Sequence, residues 1–245
     1  MRSSRRPREI ILSGFPYSFD TYKKDRVMKK RIKTTPATAL VICNGKPPSQ
    51  RLARECLRTR PFVVCADGGA NVAARLGIRP DLIIGDCDSV MPKTREQFSS
   101  VPLLKITDQK NTDLEKALNY LLKKKIRSIV VLGATGNRAD HAFANLSILA
   151  KYRKRLDVRF RDDDGEIFAI PERWFGEVGT GTIISLLPLG KCSGITTTGL
   201  KFPLKNELLA LGVREGVSNI SLQDSITVRV RAGRLLLFVG HREYR

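Results

Sequence analysis

The sequence predicts an α/β protein in two parts: a parallel-sheet domain over residues 36–170, then a smaller all-β domain over residues 171–245. Three observations carry this. Short, wholly apolar runs alternate with amphipathic segments along the first part, the pattern of strands covered on both faces by crossover helices. After Pro171 the helical segments stop, and short strands follow one another between turn residues. With 245 residues and 42% hydrophobic content, the chain is long enough for one large or two small domains with a real core.

Residues 1–35 come first. They hold eleven Lys/Arg against three acids and carry +8 of the formal +20. Without helical or strand periodicity they read as a flexible basic leader, with Met28 as an alternative start. Ala37 to Gly45 (ATALVICNG) reads as the first strand, and Ser49 caps the helix after it. PFVVCAD is the second strand, followed by the helix GGANVAARLG, which ends at Gly77. DLIIG and PLLKIT are the third and fourth strands. TDLEKALNYLLKKK is a strong helix: Leu114, Ala117, Leu118, Leu121 and Leu122 share a face, and lysines crowd its last turn. SIVVLG is the fifth strand, ADHAFANLSILAKY another helix and LDVRF a further strand. This alternation implies a parallel sheet with right-handed crossovers. In the second part, SITVRVRAGRLLLFV predicts a hairpin about Ala232–Gly233, with Ile226, Val228 and Val230 on one apolar face.

Composition narrows the function. A charge of +20 raises nucleic acid as a partner. Much of that charge lies in the leader, however, and the rest is spread thinly with only 7% aromatic residues. A solvated basic surface that attracts anionic ligands fits better, with no specific nucleic acid bound. No apolar run is long enough to cross a bilayer, so no membrane role is expected. The N-terminus lacks the long apolar stretch of a secretion signal. The five cysteines are scattered and none forms a CxxC, which points to reduced thiols in a cytoplasm. Cys87 reads as a small buried residue.

The strand ends carry the chemistry. In a parallel sheet all the strand C-termini share one edge, and ligands bind outside it. The second strand ends in Asp67, Gly68 and Gly69, and the third in Gly85, Asp86, Cys87 and Asp88. The fourth ends in Thr107, Asp108 and Gln109, with Thr112 and Asp113 opening the next helix; the fifth ends in Gly133, Ala134, Thr135 and Gly136. Carboxylates gathered on one edge repel unless a cation holds them, and hard oxygen ligands beside a phosphate suit Mg2+. Glycines leave backbone N–H groups bare at helix starts, where phosphate binds. With Arg138 nearby, the set points to transfer of a phosphoryl-type group from a nucleotide. Each residue also has a plain reading: Thr112 a helix cap, Asp113 a charge on the helix dipole, His141 a structural histidine, and Asp162 to Asp164 a solvated turn. The GATGNRAD stretch has the glycines of a dinucleotide site. It follows the fifth strand rather than the first, and no suitable ribose-binding acid lies about twenty residues on in a clean βαβ unit.

ADGGAN (Ala66 to Asn71), IGDCDS (Ile84 to Ser89), DQKNTDLEKAL (Asp108 to Leu118) and GATGNRADHAFANL (Gly133 to Leu146) together resemble the thiamine pyrophosphokinase family. GTIISLLPLG, TTTGLKFPL and EGVSN in the second part do so too. The resemblance runs from about Leu40 to Val239. It implies a Rossmann-like α/β domain, a C-terminal β-sandwich and a homodimer. The implied reaction moves the terminal diphosphate of ATP to the hydroxyl of thiamine by in-line attack, releasing AMP. By motif position, Asp67, Asp86, Asp88 and Asp113 would be the acids for Mg2+ and phosphate, with Gln109 beside them and Asp108 as a further acid. Asn71, Thr112, Gly133, Arg138, Asp140 and His141 would line the nucleotide cleft. Thiamine would bind at the subunit boundary, near Thr198, Phe202, Ser218 and Asn219. Two departures stand out: Phe202 where many members have Trp, and Cys87 where the usual motif has an aromatic residue. Two other functions fit the composition: a Mg2+-dependent nucleotide or diphosphate hydrolase, and a basic nucleic-acid-binding protein.

Overall fold

The computed structural model describes residues 9–12 and 38–243, and the apolar runs of the sequence become its central strands. Within the segment read as a leader, β1 (Glu9–Leu12) pairs in parallel with β5 (Leu103–Ile106) at one sheet edge. The short β-branched run at Ile10 and Ile11 suits a strand. The rest of the leader, including Met28, lies outside the described residues. Inward from β5 come β4 (Leu82–Gly85), β3 (Phe62–Ala66), β2 (Thr38–Ile42), β6 (Ser128–Leu132) and β7 (Asp157–Arg161), all parallel. The chain therefore winds outward from β2 to β5, then returns to the other side of β2 as β6. That reversal makes a switch point between β2 and β6.

Side chains of these strands alternate between two helical layers. Val41, Val64, Ile84 and Val131 face α4 (Asp113–Lys123) and α5 (Ala139–Tyr152), packing on Leu114, Leu118, Leu121 and Leu149. Leu40, Ile42, Val63 and Ile83 face the opposite layer, with Leu52 of α1 (Gln50–Leu57) and Ala70 and Val72 of α2 (Gly69–Arg75). Ser49 caps α1 as expected: its Oγ accepts from Leu52 N at 3.2 Å. Asp163 in turn accepts from Ser49 N at 2.8 Å, while Asp162 Oδ1 accepts from the amides of Asp164 and Gly165. The three-aspartate run is thus a turn that buttresses a helix start.

Besides β1, α3 (Pro92–Gln97) and β8 (Gly165–Ala169) were not expected either. α3 buries only Thr94 among its residues, so it shows no apolar stripe. β8 folds back antiparallel on β7 through the aspartate turn. Through β8 the large sheet continues past residue 170 into β15 (Leu235–Glu243), β10 (Thr182–Pro188) and β13 (Gly216–Ile220), eleven strands among the described residues. The second sheet is antiparallel, in the order β12 (Glu207–Ala210), β11 (Lys191–Thr198), β14 (Ser225–Arg229), β9 (Arg173–Glu177).

The expected hairpin about Ala232–Gly233 is not formed. β14 pairs with β11 and β9, whereas β15 pairs with β8 and β10. The reason is the shared apolar alternation. Ile226, Val228 and Val230 point into the same core as Leu235 and Leu237, so the two segments stack face to face across that core instead of pairing edge to edge.

Candidate active site

β3 delivers Asp67 and β4 delivers Asp86 and Asp88 to the same sheet edge, and carboxylate oxygens of all three lie within 4.8 Å of one another. The backbone bends sharply to do this. Asp67 has φ +43° and Cys87 φ +64°, the left-handed region that L-residues other than Asn, Asp and Gly seldom occupy. Gly85, the last residue of β4, has φ +155°. A Cβ there would sit 2.8 Å from Asp67 Cβ and 3.1 Å from Asp113 Oδ1, so a side chain at 85 would press into the acids.

The cluster's polarity is unbalanced. Asp67 is only 6% exposed, and its Oδ1 and the Oδ1 of Asp86 are buried with no hydrogen-bond donor. Leaving such atoms without a partner is costly. Burial pushes the Asp67 carboxyl above its ordinary range, and the charges of Asp113 and Asp86 push the same way. Two buried acceptors without donors, set among three carboxylates, fit a hard divalent cation as the missing partner. Asp113, at the first turn of α4, borders the trio across Gly85, but its Oδ1 accepts from Lys116 Nζ at 2.8 Å. Lys116 is 5% exposed and so tempers the negative charge from within. Thr112 forms a full capping box with Glu115. Its plain reading as a helix cap is therefore met.

Cys87 is buried, and its thiol donates to Gly85 O at 3.6 Å. Burial, with Asp67 adding, pushes it up to about 11, so it stays protonated and is no nucleophile. Two residues that the sequence reading did not single out for this purpose hold its loop. Asn71 Nδ2 donates to Ser89 O at 2.8 Å while its Oδ1 accepts from Met91 N at 3.0 Å. Arg95 of α3 donates from Nη2 to Cys87 O and from Nε to Val90 O. The sequence expectation put Asn71 against the nucleotide; here both ends of its amide go to the acid loop. Pro92 marks the start of α3, but nothing in the sequence alone ties Arg95 to the acid loop.

At the switch point the loops after β2 and β6 are tied together. Cys43 N donates to Leu132 O, Gly45 N to Gly133 O and Lys46 N to Thr135 O, at 2.8–2.9 Å. Gly133 has φ +66°, and a Cβ on it would meet Cys43 O at 2.7 Å. Asn44 and Lys46 thus join the site edge. The strand-end rule applied to the first strand would have found them. Arg138 and Asp140 pair with each other at 2.5 Å and are both exposed; the guanidinium holds the Asp140 carboxyl down at about 2. His141 beside them is exposed, as is Gln109, while Asp108 accepts from Lys110 N and Asn111 Nδ2 within its own loop.

The acceptor-side residues form a second group. Asn219 Oδ1 accepts from Phe202 N at 3.0 Å, and its Nδ2 donates to Phe202 O at 2.8 Å. Ser218 N donates to Ser185 Oγ at 3.0 Å. Phe202 is 62% exposed. Thr198, exposed, ends β11 opposite Thr227. From β3, which carries Asp67, to β13, which carries Asn219, there are seven strand spacings, about 34 Å along the sheet at ~4.8 Å each. Among the described residues no hydrogen bond or ion pair joins Phe202 or Asn219 to the acids, and the sheet order sets them seven spacings apart.

A family model for the catalytic domain of thiamin pyrophosphokinase matches residues 53–160, and one for its vitamin B1 binding domain matches residues 175–235. Thiamine pyrophosphokinase 1 of Oryza sativa subsp. japonica is 30% identical over 222 residues, covering 78% of this chain and 83% of the relative. The chain belongs to the thiamine pyrophosphokinase family. The thiamine pyrophosphokinase of Bacillus subtilis (strain 168) is 29% identical over 178 residues, 70% of this chain and 83% of that one. A crystal structure of the Bacillus subtilis thiamine pyrophosphokinase superposes with a TM-score of 0.72 at 25% identity, over 84% of this chain and 99% of that chain. The thiamin pyrophosphokinase of Candida albicans shares the fold, with a TM-score of 0.75 at 19% identity over 83% and 88% of the two chains. The thiamine pyrophosphokinase catalytic match spans Asp67, Asp86, Asp88 and Asp113, and the vitamin B1 match spans Thr198, Phe202, Ser218 and Asn219.

Proposed function

We propose that this enzyme transfers the terminal diphosphate of ATP to the hydroxyl of thiamine, giving thiamine diphosphate and AMP. The observation that carries the reading is the acid trio with its two unpartnered buried oxygens, at the substrate edge of a family member. Asp67, Asp86 and Asp88 would hold Mg2+, with Asp113 bordering them. The ion supplies charge neutralisation for the phosphates. The glycine-lined loops at Gly45, Gly133 and Gly136 let the polyphosphate approach the backbone closely, and Lys46 adds positive charge at the switch point. The exposed Arg138–Asp140 pair is open to exchange Asp140 for a phosphate. Arg95 and Asn71 hold the acid loop in its strained shape. The acceptor hydroxyl attacks the β-phosphorus in line with the departing AMP oxygen, and its proton passes late to a carboxylate of the cluster.

Residues 36–170 form the Rossmann-like nucleotide domain in this reading, and residues 171–245 the β-sandwich that binds thiamine. The separation of Phe202 and Asn219 from the acids supports a homodimer, in which one chain's acceptor patch meets its partner's acid edge. Exposed apolar side chains support the same reading: Phe143 near the start of α5, and Phe202, Val217 and Leu222 near β13. Five free cysteines, four of them buried, suit a reducing cytoplasm; among the described residues no helix is long and apolar enough to cross a membrane.

Incubating the enzyme with ATP and Mg2+, with and without thiamine, tests the reading. AMP and thiamine diphosphate should appear only with thiamine; equal AMP in both arms would make it a hydrolase. Phe202→Ala should raise the KM for thiamine about tenfold, through loss of ring stacking on a flat cation, and leave the KM for ATP nearly unchanged. Equal changes in both constants would place Phe202 outside the thiamine site.

A further inference from the structure

On the opposite edge of the sheet, at the N-terminal ends of β6 and β7, lies a cavity of about 600 Å³ that the reaction does not use. Five cations line it: Lys125 and Arg127 from the turn before β6, and Arg153, Lys154 and Arg155 from the turn before β7. The one acid in the lining, Asp157, pairs with Arg159 at 3.4 Å. Arg155 lies over the ring of Tyr152, 4.8 Å from its centroid. Lys125, Arg127, Arg153 and Lys154 have no carboxylate partner among the described residues. Its inner wall is apolar, with Leu149 and Val158 buried in the core beneath.

Five cations around one hollow with a single acid set up a positive potential there that attracts an anion, even after water screens the exposed side chains. Cations at a helix C-terminus favour the helix dipole, which accounts for Arg153 at the end of α5. It does not account for Arg127, which enters a strand. The hollow has the volume of a nucleotide-sized ligand. A nucleic-acid surface would need a stripe with aromatic stacking faces, whereas among the described residues the aromatic ring beneath these cations, Tyr152, is buried and covered by Arg155.

We propose that this cavity is a second, non-catalytic anion site for a small molecule bearing two or three linked phosphates. It is separate from the acid cluster because it opens at the other end of the parallel strands. Titration calorimetry of the full chain with inorganic triphosphate, without divalent cations, tests it. Wild type should bind one equivalent. Arg127→Glu with Arg153→Glu should weaken binding at least tenfold, while AMP release measured without triphosphate stays at the wild-type rate. Arg127→Gln with Arg153→Gln, a gentler pair should charge reversal impair folding, should weaken it several-fold. Asp86→Ala should bind triphosphate as wild type does. Repeating the titration with ATP in the Asp86→Ala background separates sources: affinity equal to triphosphate marks phosphate alone as the ligand, and tighter binding marks a nucleotide read by the apolar wall. Unchanged affinity in both arginine pairs, or loss of binding in Asp86→Ala, overturns the proposal. So does RNA binding that the arginine pairs abolish in a protein that ignores triphosphate.

Discussion

Asp86→Ala and Asp88→Ala each lower the rate of AMP release on the order of 10²-fold or more, roughly 3 kcal/mol of barrier. The expectation rests on geometry. Asp67, Asp86 and Asp88 present oxygens within 4.8 Å of one another, and two of the oxygens are buried without a donor. Such a set is poised for a cation, and each alanine removes one of its three carboxylates. A second readout separates lost charge from lost fold. Mg2+ should raise the melting temperature of the wild type, because binding to the native state alone stabilises it. The rise should vanish in either variant while both still unfold cooperatively. The sign is consistent with Asp67: its carboxyl is raised, so without a cation its contribution to stability is present at low pH and is lost as pH rises through its folded value. Mg2+ stabilisation should accordingly grow from acid to neutral pH. Near-normal turnover in both variants, or Mg2+ stabilisation that survives in both, refutes the metal role.

The second large effect is expected at Gly69→Ala. A Cβ at Gly69 would lie 1.9 Å from Ile42 O and 2.7 Å from Ile42 C, both backbone atoms of the central strand. No rotamer change relieves a backbone clash, so the start of α2 must move away from β2. Overpacking of this kind typically destabilises by about 1–3 kcal/mol, and a contact this short belongs at or above the top of that range. Asp67 lies two residues before Gly69, so activity should fall further than stability alone accounts for. Chemical denaturation together with AMP release checks both. By contrast, Gly77→Ala meets nothing within 4 Å, although it holds φ +68°. It should cost only the strain of a left-handed alanine, about 1–2 kcal/mol, and leave turnover intact. A Gly69→Ala protein as stable as wild type would show that the helix start yields without strain.

Much of the site was legible because it is local. An acid directly after an apolar run must lie at a strand end, and in a parallel sheet the strand ends share an edge. That reasoning reached Asp67, Asp86 and Asp88 without any tertiary contact. The caps at Ser49 and Thr112 were equally local. The pairing of Asp113 with Lys116 was open to reading from its spacing of three along a helix. Arg95 was not, because α3 buries so little that no period betrays it.

The sequence by itself determined the alternation of strands and helices, the acids at their ends and the family, since each depends on neighbours a few residues apart. Only the tertiary structure decided that β14 and β15 lie in different sheets, that one large sheet runs through both halves, and that β13, whose Asn219 holds Phe202, sits seven spacings along the sheet from the strand carrying Asp67. Those outcomes depend on which distant apolar faces meet, and two strands of the same alternation satisfy that demand equally well whether paired or stacked.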